Sequence, residues 1–245
     1  MFNPLSSAIS TILLASAMAP AFAQEADKAT DLDQVIVTGS RTPVAIEKVP
    51  GAVTLVTAEQ VQRNLNLTED ATAVLARMVP GYSESSQAMS NSGETLRGRI
   101  ALRLFDGVPQ GSPLREGNRN GTFTDMGVIG RIEVINGPSA AEGIGGSGGV
   151  INYLSKNPDV DGHQTIVSTR YGTQFKDDSA TKKVGVTHTY RGDAADFVVS
   201  GAYIDRGMSY DGDGRLVGMN TSGSLSDSYS KNLFLKGGYN FGQGQ

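Results

Sequence analysis

The sequence predicts an α+β domain, with a small mixed sheet and short helices, followed by the first antiparallel strands of an incomplete transmembrane β-barrel. Three observations predict this fold class. Two apolar, β-branched segments flank a glycine-rich turn within residues 130–156. Two amphipathic helix patterns precede that unit, and period-2 segments follow Pro158.

Composition limits the possible functions. The 245 residues include 31 glycines, about twice the usual share, which favours turns and short strands over a helical protein. A net charge of -4 gives no electrostatic footprint for nucleic acid, so none is expected as a partner. The chain has no cysteine, which excludes disulfides, thiolate metal sites and cysteine nucleophiles.

The N-terminus carries the pattern of a secretory signal peptide. An apolar segment from Ile9 to Ala19 ends before Pro20, and Ala21-Phe22-Ala23 supplies the small-x-small cleavage pattern. We predict a signal peptide over residues 1–23. The first eight residues carry no Lys or Arg, which departs from the usual pattern, and a buried core helix is the alternative. With no later apolar run of about 18 residues, a membrane-spanning mature chain would need a barrel.

A polar tether with a short β-prone segment is predicted over residues 24–49. The segment comprises Asp33, Gln34, Val35, Ile36, Val37 and Thr38. An isolated strand after a flexible tether leaves its backbone donors and acceptors free to pair with the sheet edge of another protein. The alternative is an edge strand within the chain's own domain.

The residues that follow predict strands and two helices. Gly51 to Val56 is a predicted strand, and Thr57 opens a helix through a capping box with Gln60. A second helix is predicted from Thr68, with Glu69 and Asp70 in its first turn, where the helix dipole favours carboxylates. Its buried stripe is predicted to comprise Ala71, Val74, Leu75 and Met78.

Two polar loops interrupt this domain, at residues 82–92 and 110–122. Between them, residues 94–97 and 101–105 read as strands, and residues 106–109 as a turn. In the glycine-rich segment, residues 143–149, missing Cβ atoms allow positive φ and close backbone approach. We expect this segment to lie close against the wall of the barrel.

Four period-2 faces follow Pro158, as outer-membrane strands require. Long connections at residues 172–182 and 206–229 alternate with a tight one at 192–195, which we place in the periplasm because barrels have short periplasmic turns. A soluble sandwich is the alternative. The faces are Thr165-Val167-Thr169-Tyr171, Val184-Val186-His188-Tyr190, Phe197-Val199-Gly201-Tyr203 and Leu233-Leu235-Gly237-Tyr239-Phe241. Their aromatic residues predict two belts at the membrane interfaces.

Chemical motifs are weak. Gly143-x-Gly145-x-x-Gly148 matches a dinucleotide fingerprint, but a strand rather than a helix follows it. Asp211-Gly212-Asp213-Gly214 lacks the rest of a calcium loop. His163 and His188 lie on different segments, without a Cys or a pair of carboxylates. We therefore predict no enzyme, no cofactor and no metal site.

An ordered set of motifs resembles the plug domain of TonB-dependent outer-membrane receptors. Asp33 to Thr38 is similar to the TonB box of that family, whereas Asn136 stands where the family usually has a basic residue. The motifs are Val49-Pro50, residues 53–57, Met78-Val79-Pro80-Gly81-Tyr82, Leu96-Arg97-Gly98-Arg99, Phe105-Asp106-Gly107-Val108-Pro109, Arg131-Ile132-Glu133-Val134, Gly137-Pro138 and Gly148-Gly149-Val150-Ile151-Asn152.

The resemblance implies a function and its residues. It implies active uptake of a scarce ligand, with a ferric siderophore favoured, through an outer-membrane receptor that pairs with TonB at residues 33–38. Plug-to-barrel contacts are expected at Arg97, Arg131 and Glu133, and ligand contacts at Tyr82, Arg115 and Arg119. A passive porin-like channel and a soluble exported binding or adhesion module are the alternatives.

The same resemblance divides the chain into a plug domain over residues 50–158 and barrel strands over residues 159–245. This tail suffices for about four strands, whereas plugged outer-membrane transporters have about 22. We expect the sequence to be the N-terminal part of a receptor of roughly 600 to 800 residues.

Overall fold

The computed structural model describes residues 52–67, 70–84, 94–110, 125–138, 145–217 and 227–241, and the backbone of four two-residue strands. These short strands pair antiparallel as two ribbons, β1 (Ile36–Val37) with β2 (Val44–Ala45) and β5 (Ser90–Asn91) with β9 (Asn120–Gly121). The predicted signal peptide lies outside the described residues. In the described part of the chain, no helix is long and apolar enough to cross a membrane.

A mixed five-stranded sheet forms the first domain, and its strands are β3 (Val53–Val56), β7 (Ala101–Phe105), β8 (Val108–Pro109), β10 (Ile129–Asn136) and β11 (Gly149–Ser155). Their order in the sheet is β3-β10-β11-β7-β8. The predicted strand-turn-strand unit is its centre, since β10 and β11 pair antiparallel and β11 pairs parallel with β7. Edge strand β3 pairs antiparallel with β10. A smaller pair joins β4 (Tyr82–Ser83) to β6 (Thr95–Leu96).

Two helices cover one face of this sheet. Helix α1 (Ala58–Leu65) begins with the predicted capping box, in which the Gln60 backbone N–H donates to Thr57 Oγ1 and the Thr57 N–H donates to Gln60 Oε1. Helix α2 (Ala71–Met78) begins three residues later than predicted. Asp70 is its N-cap rather than part of its first turn, because the carboxylate accepts the Thr72 N–H and hydroxyl.

The main core lies between the helices and the sheet. Val74 and Leu75 of the predicted stripe are fully buried, and Ala71 and Met78 pack against the same cluster at partial burial. Side chains from β10 and β11 alternate between this cluster and a smaller one on the opposite face of the sheet. The central strands are therefore buried on both faces, as expected for strands covered on each side, and the smaller cluster's face also holds the buried polar pair Glu133 and Asn152.

The glycine-rich segment packs closely against its own domain. A Cβ on Gly149 would lie 2.2 Å from the Ile135 carbonyl oxygen, and one on Gly148 would lie 2.7 Å from the Arg99 and Leu96 carbonyl oxygens. At these two glycines the close approach is therefore to the plug's own strands, and the approach of the segment to a barrel wall stays a prediction. Their nearest atoms belong to β6, β10 and the turn after β6.

The second sheet consists of four long antiparallel strands in chain order. They are β12 (Gly162–Gly172), β13 (Thr181–Arg191), β14 (Ala195–Arg206) and β15 (Ser228–Tyr239). This confirms the predicted alternation of a short connection between two long ones. All four predicted faces lie on one side of this sheet, where Val167, Val184, Leu233 and Leu235 are exposed. We call this side the outer face and the opposite side the inner face.

Candidate functional site at the contact between the two sheets

The inner face of the four-stranded sheet contacts the first domain through cationic side chains on three strands. The first is Arg170 of β12, whose Nη1 and Nη2 donate to the carbonyl oxygens of Leu65 (2.8 Å) and Leu67 (2.6 Å). These carbonyls lie at the C-terminal end of α1, where the helix leaves acceptors unsatisfied and its dipole favours a cation. Arg170 therefore caps a helix of the first domain from the neighbouring sheet.

A buried ion pair forms the second contact. Lys183 Nζ of β13 lies 3.0 Å from Asp125 Oδ1, and each side chain is only 4% exposed. The same carboxylate oxygen accepts the Gly127 N–H at 2.9 Å and so caps the 3-10 helix Met126–Val128. Because a charge left alone at this depth is costly, each partner requires the other.

A third cation completes the set. Lys236 Nζ of β15 donates to Ser155 Oγ at 2.8 Å. Ser155 is held in turn by Asp106, whose Oδ1 accepts the Ser155 backbone N–H and whose Oδ2 accepts its hydroxyl. Phe234 packs edge-on against Phe105 beside this contact, with 5.9 Å between ring centroids. This aromatic pair is an apolar component of an interface with three polar contacts.

A polar cavity of about 340 Å³ lies between α1 and strands β12 and β13. Its lining includes Gln62, Asn66, Lys156, Arg170 and Lys183. Burial lowers the pKa of Lys156, and the Asp125 carboxylate partly offsets this effect. The interface thus combines specific polar contacts with space that water can fill.

Comparison with known families decides the identity of the first domain. A family model described as the TonB-dependent receptor plug domain matches residues 45–150. The chain belongs to the TonB-dependent receptors. The five-stranded sheet and its helices are the plug domain, and the four-stranded sheet is a set of antiparallel strands that packs beside it.

Individual relatives of this plug-bearing chain are named as receptors for rhizobactin and for hemin. The chain is 30% identical to a rhizobactin receptor of Rhizobium meliloti over 80% of its own length and 26% of the relative. It is 32% identical to a hemin receptor of Yersinia enterocolitica over 62% of its length and 22% of the relative. The chain therefore spans about a quarter of the length of these relatives.

A solved structure shares the fold. It is a mutant of the ferric enterobactin receptor of Pseudomonas aeruginosa in complex with enterobactin, with a TM-score of 0.52 and 23% identity. The match covers 66% of this chain and 26% of that chain.

The predicted contact residues of the plug occupy distinct positions. Arg131 pairs with Glu133 on the same strand, with 2.9 Å between Nη2 and Oε1, and the Glu133 side chain is fully buried. Arg97 is exposed in a left-handed turn (φ 55°) before Gly98, and its backbone N–H donates to the Gly81 carbonyl. Their contact with a barrel wall stays a prediction. The contacts of Arg170, Lys183 and Lys236 with the plug were not predicted from the sequence.

Asn136, at the position where the resemblance leads us to expect a basic residue, is fixed within the plug. Its Nδ2 and its backbone N–H both donate to the Ala52 carbonyl oxygen, at 3.0 and 2.9 Å. The side chain thus ties the end of β10 to the start of β3. It acts here as a short polar link between two parts of the plug.

Tyr82, a predicted ligand contact, faces the core of the plug. Its ring is buried, burial raises the pKa of its hydroxyl, and that hydroxyl donates to Glu94 Oε2 at 2.7 Å. Glu94 also pairs with Arg103. Tyr82 therefore anchors the base of the first polar loop rather than presenting a free hydroxyl.

The two polar loops meet through the backbone, because β5 of the first loop pairs with β9 of the second. Arg115 and Arg119 lie outside the described residues. In the predicted TonB-pairing segment, only the backbone of Ile36 and Val37 is described, and it pairs with Val44 and Ala45.

Proposed function

We propose that the chain is the N-terminal part of an outer-membrane receptor that takes up a scarce ligand actively, with a ferric siderophore as the favoured ligand. The observation that carries this proposal is the interface between plug and strands. A domain that must shift during transport has to be held by replaceable contacts. In the described part of the interface, three cationic side chains, a cavity and an aromatic pair meet that requirement.

The orientation of the strands supports an outer-membrane location after removal of the signal peptide. The exposed apolar side chains of the four strands, among them Val167, Leu233 and Leu235, lie on the outer face, while Lys183, Thr187, Thr189 and Ser200 are buried on the inner face beside Val198, Ala202 and Ile204. Alternation of this kind places lipid against the outer face and polar surroundings on the inner face. The aromatic side chains near the two ends of the strands would then lie at the two membrane interfaces.

Relatives named as rhizobactin, enterobactin and hemin receptors favour an iron-bearing ligand. Arg115 and Arg119 in the second polar loop would supply guanidinium groups to an anionic chelate. The pairing of β5 with β9 supports a joint role for the two loops, since a ligand that shifts one loop would pull on the other. Tyr82 would contribute indirectly, because its hydrogen bond to Glu94 positions the base of the first loop.

We propose that residues 33–38 couple the receptor to the energy source of transport. We place this segment in the periplasm, where it adds as a strand to TonB and receives a pull driven by the inner-membrane proton gradient. Its pairing with β2 would be exchanged for pairing with TonB. Arg97, Arg131 and Glu133 are proposed to contact strands further along the receptor.

Deletion of residues 33–38 from the full-length receptor tests the proposal. Cells that express the deletion should bind radiolabelled ferric rhizobactin, ferric enterobactin or hemin at the surface as the wild type does, and should lose energised uptake. A deletion of residues 24–29 in the tether is the matched control and should keep uptake. Uptake that survives loss of residues 33–38 would overturn the coupling, and exclusive binding of hemin would overturn the siderophore assignment.

A further inference from the structure

The two histidines of the sequence, which lie 25 positions apart, meet on the outer face of the four-stranded sheet. His163 on β12 and His188 on β13 are diagonal neighbours, because Thr165 is the residue that pairs with His188. Nδ1 of His163 lies 3.2 Å from Nε2 of His188. The pair lies near the end of the sheet that carries the short connection at residues 192–194, and His163 is exposed.

Aromatic neighbours and a hydroxyl hold both rings. The His163 ring lies 4.6 Å from that of Tyr190, centroid to centroid, and the His188 ring lies 5.9 Å from that of Phe197. His188 Nδ1 is hydrogen-bonded to Thr165 Oγ1 at 2.7 Å. A metal-binding histidine commonly uses its second nitrogen in this way, since that bond fixes the tautomer and the ring orientation.

The separation of the two nitrogens suits a shared metal ion. Two imidazole nitrogens at about 2.0–2.1 Å from one metal, with a bond angle of about 90–109°, lie about 2.8–3.4 Å apart. The observed 3.2 Å falls within that range. We propose that His163 and His188 form a binding site for a late divalent transition-metal ion, with Cu²⁺ preferred.

The choice of metal follows from the donor set. Among the described residues there is no group of three or more His, Asp or Glu side chains able to hold a metal, so water completes the coordination. Two imidazoles with water oxygens favour Cu²⁺ or Ni²⁺ over ions that require closed tetrahedral sites, and Cu²⁺ binds most strongly in the first-row series. His188 then carries its proton on Nδ1, donates it to Thr165 and coordinates through Nε2. His163 coordinates through Nδ1, with its proton on Nε2.

The site is independent of the receptor's transport ligand, and its test uses Cu²⁺ alone. The full-length receptor in detergent is titrated with Cu²⁺ by calorimetry and by electron paramagnetic resonance. The wild type should bind one equivalent with couplings from two nitrogens at this site. His163→Gln and His188→Gln should each remove one nitrogen coupling. Thr165→Val should raise the Kd by roughly tenfold or more, as loss of an outer-shell partner does.

Gln164→Ala is the matched control, because residue 164 adjoins His163 but points to the inner face, and it should bind as the wild type does. Circular dichroism checks that each variant is folded. We expect all of them to fold, because the histidines and Thr165 lie on the exposed face of the sheet. The proposal fails if the double variant His163→Gln/His188→Gln binds as many equivalents of Cu²⁺ as the wild type with the same Kd. It also fails if the wild-type spectrum shows no signal with two nitrogens.

Discussion

Lys183 Nζ contacts Asp125 Oδ1 at 3.0 Å, and this ion pair joins the strands to the plug at almost complete burial. Lys183→Met should destabilise the plug by about 3–5 kcal/mol, because Asp125 would keep its charge without a partner. Hydrogen exchange at the amides of residues 126–128 in the full-length receptor measures the loss. Lys182→Met removes an exposed neighbouring lysine and should leave exchange unchanged.

The double variant Asp125→Asn/Lys183→Met separates charge from packing. Asparagine can still accept the Gly127 N–H as a cap. Most of the protection lost in the single variant should return, since neutral replacements of a buried pair are often close to neutral in stability. If the amides of residues 126–128 exchange as fast in the double variant as in Lys183→Met, the lysine acts mainly by packing.

Arg170→Met should loosen the end of α1. The guanidinium donates to the Leu65 and Leu67 carbonyls, and a cation at a helix C-terminus contributes about 0.3–1 kcal/mol. Exchange at the α1 amides should rise severalfold, while exchange in α2 stays as in the wild type. Lys231→Met, which removes a cation from the outer face, is the comparison and should not affect α1.

Gly149→Ala should destabilise the plug by more than about 1 kcal/mol. Alanine disfavours the positive φ at this position, and its Cβ would overlap with neighbouring atoms in a packed core. The φ of Gly149 is +140°, and the new Cβ would lie 2.2 Å from the Ile135 carbonyl oxygen. The midpoint of denaturant unfolding in detergent measures the effect. Gly172→Ala meets open space and should unfold as the wild type does; equal midpoints for the two variants would contradict the close packing.

Alkaline pH should weaken the plug through Tyr153, whose pKa is raised by burial to about 12. In the unfolded chain the phenol loses its proton near pH 10, while in the folded chain it keeps it. Stability is thus lost as pH rises from about 10 to 12, by about 1.4 kcal/mol per pH unit for one group. Tyr153→Phe should reduce this slope in unfolding titrations. Tyr171→Phe changes an exposed tyrosine and should leave the slope as it is.

Leu235→Arg tests which face of the strands meets lipid. Leu235 is 66% exposed on the outer face, and a cation at the midplane of the lipid face costs about 2–4 kcal/mol. The full-length receptor should assemble poorly, with less protein resistant to carbonate extraction. Asn232→Arg on the inner face should assemble normally. Carbonate release of the wild type would instead favour the soluble alternative.

The periodicity of apolar residues and the capping residues of the helices predicted most of the strands and helices from the sequence. The four long strands could be predicted because successive side chains of a strand point to opposite faces, so apolar and polar residues alternate along it. Helix α1 could be predicted because Thr57 and Gln60 form a capping box at its start. The start of α2 was misplaced because Asp70 suits both a first turn and an N-cap. Side-chain hydrogen bonding to Thr72 selected the N-cap.

The contacts between sheets were beyond sequence reasoning. Arg170 and Lys183 read as polar members of alternating strands, and nothing local indicates that one meets a helix end and the other a buried carboxylate. His163 and His188 likewise become neighbours only through the register of β12 with β13. Such pairs depend on strand register and domain docking, which alternation alone leaves open.

The sheet order has a mechanical consequence. Val53 of edge strand β3 pairs with Ile135 at one end of β10, and Ile135 pairs with Val150 at the start of β11. The chain leaves β11 at Ser155, at the opposite end of the sheet. Tension applied between the N-terminal segment and β12 therefore runs along the strands and loads the four β3–β10 residue pairs in shear, all together. A sideways force would instead peel them apart one after another, so the direction of the tension sets how much force the plug withstands before its first strand detaches.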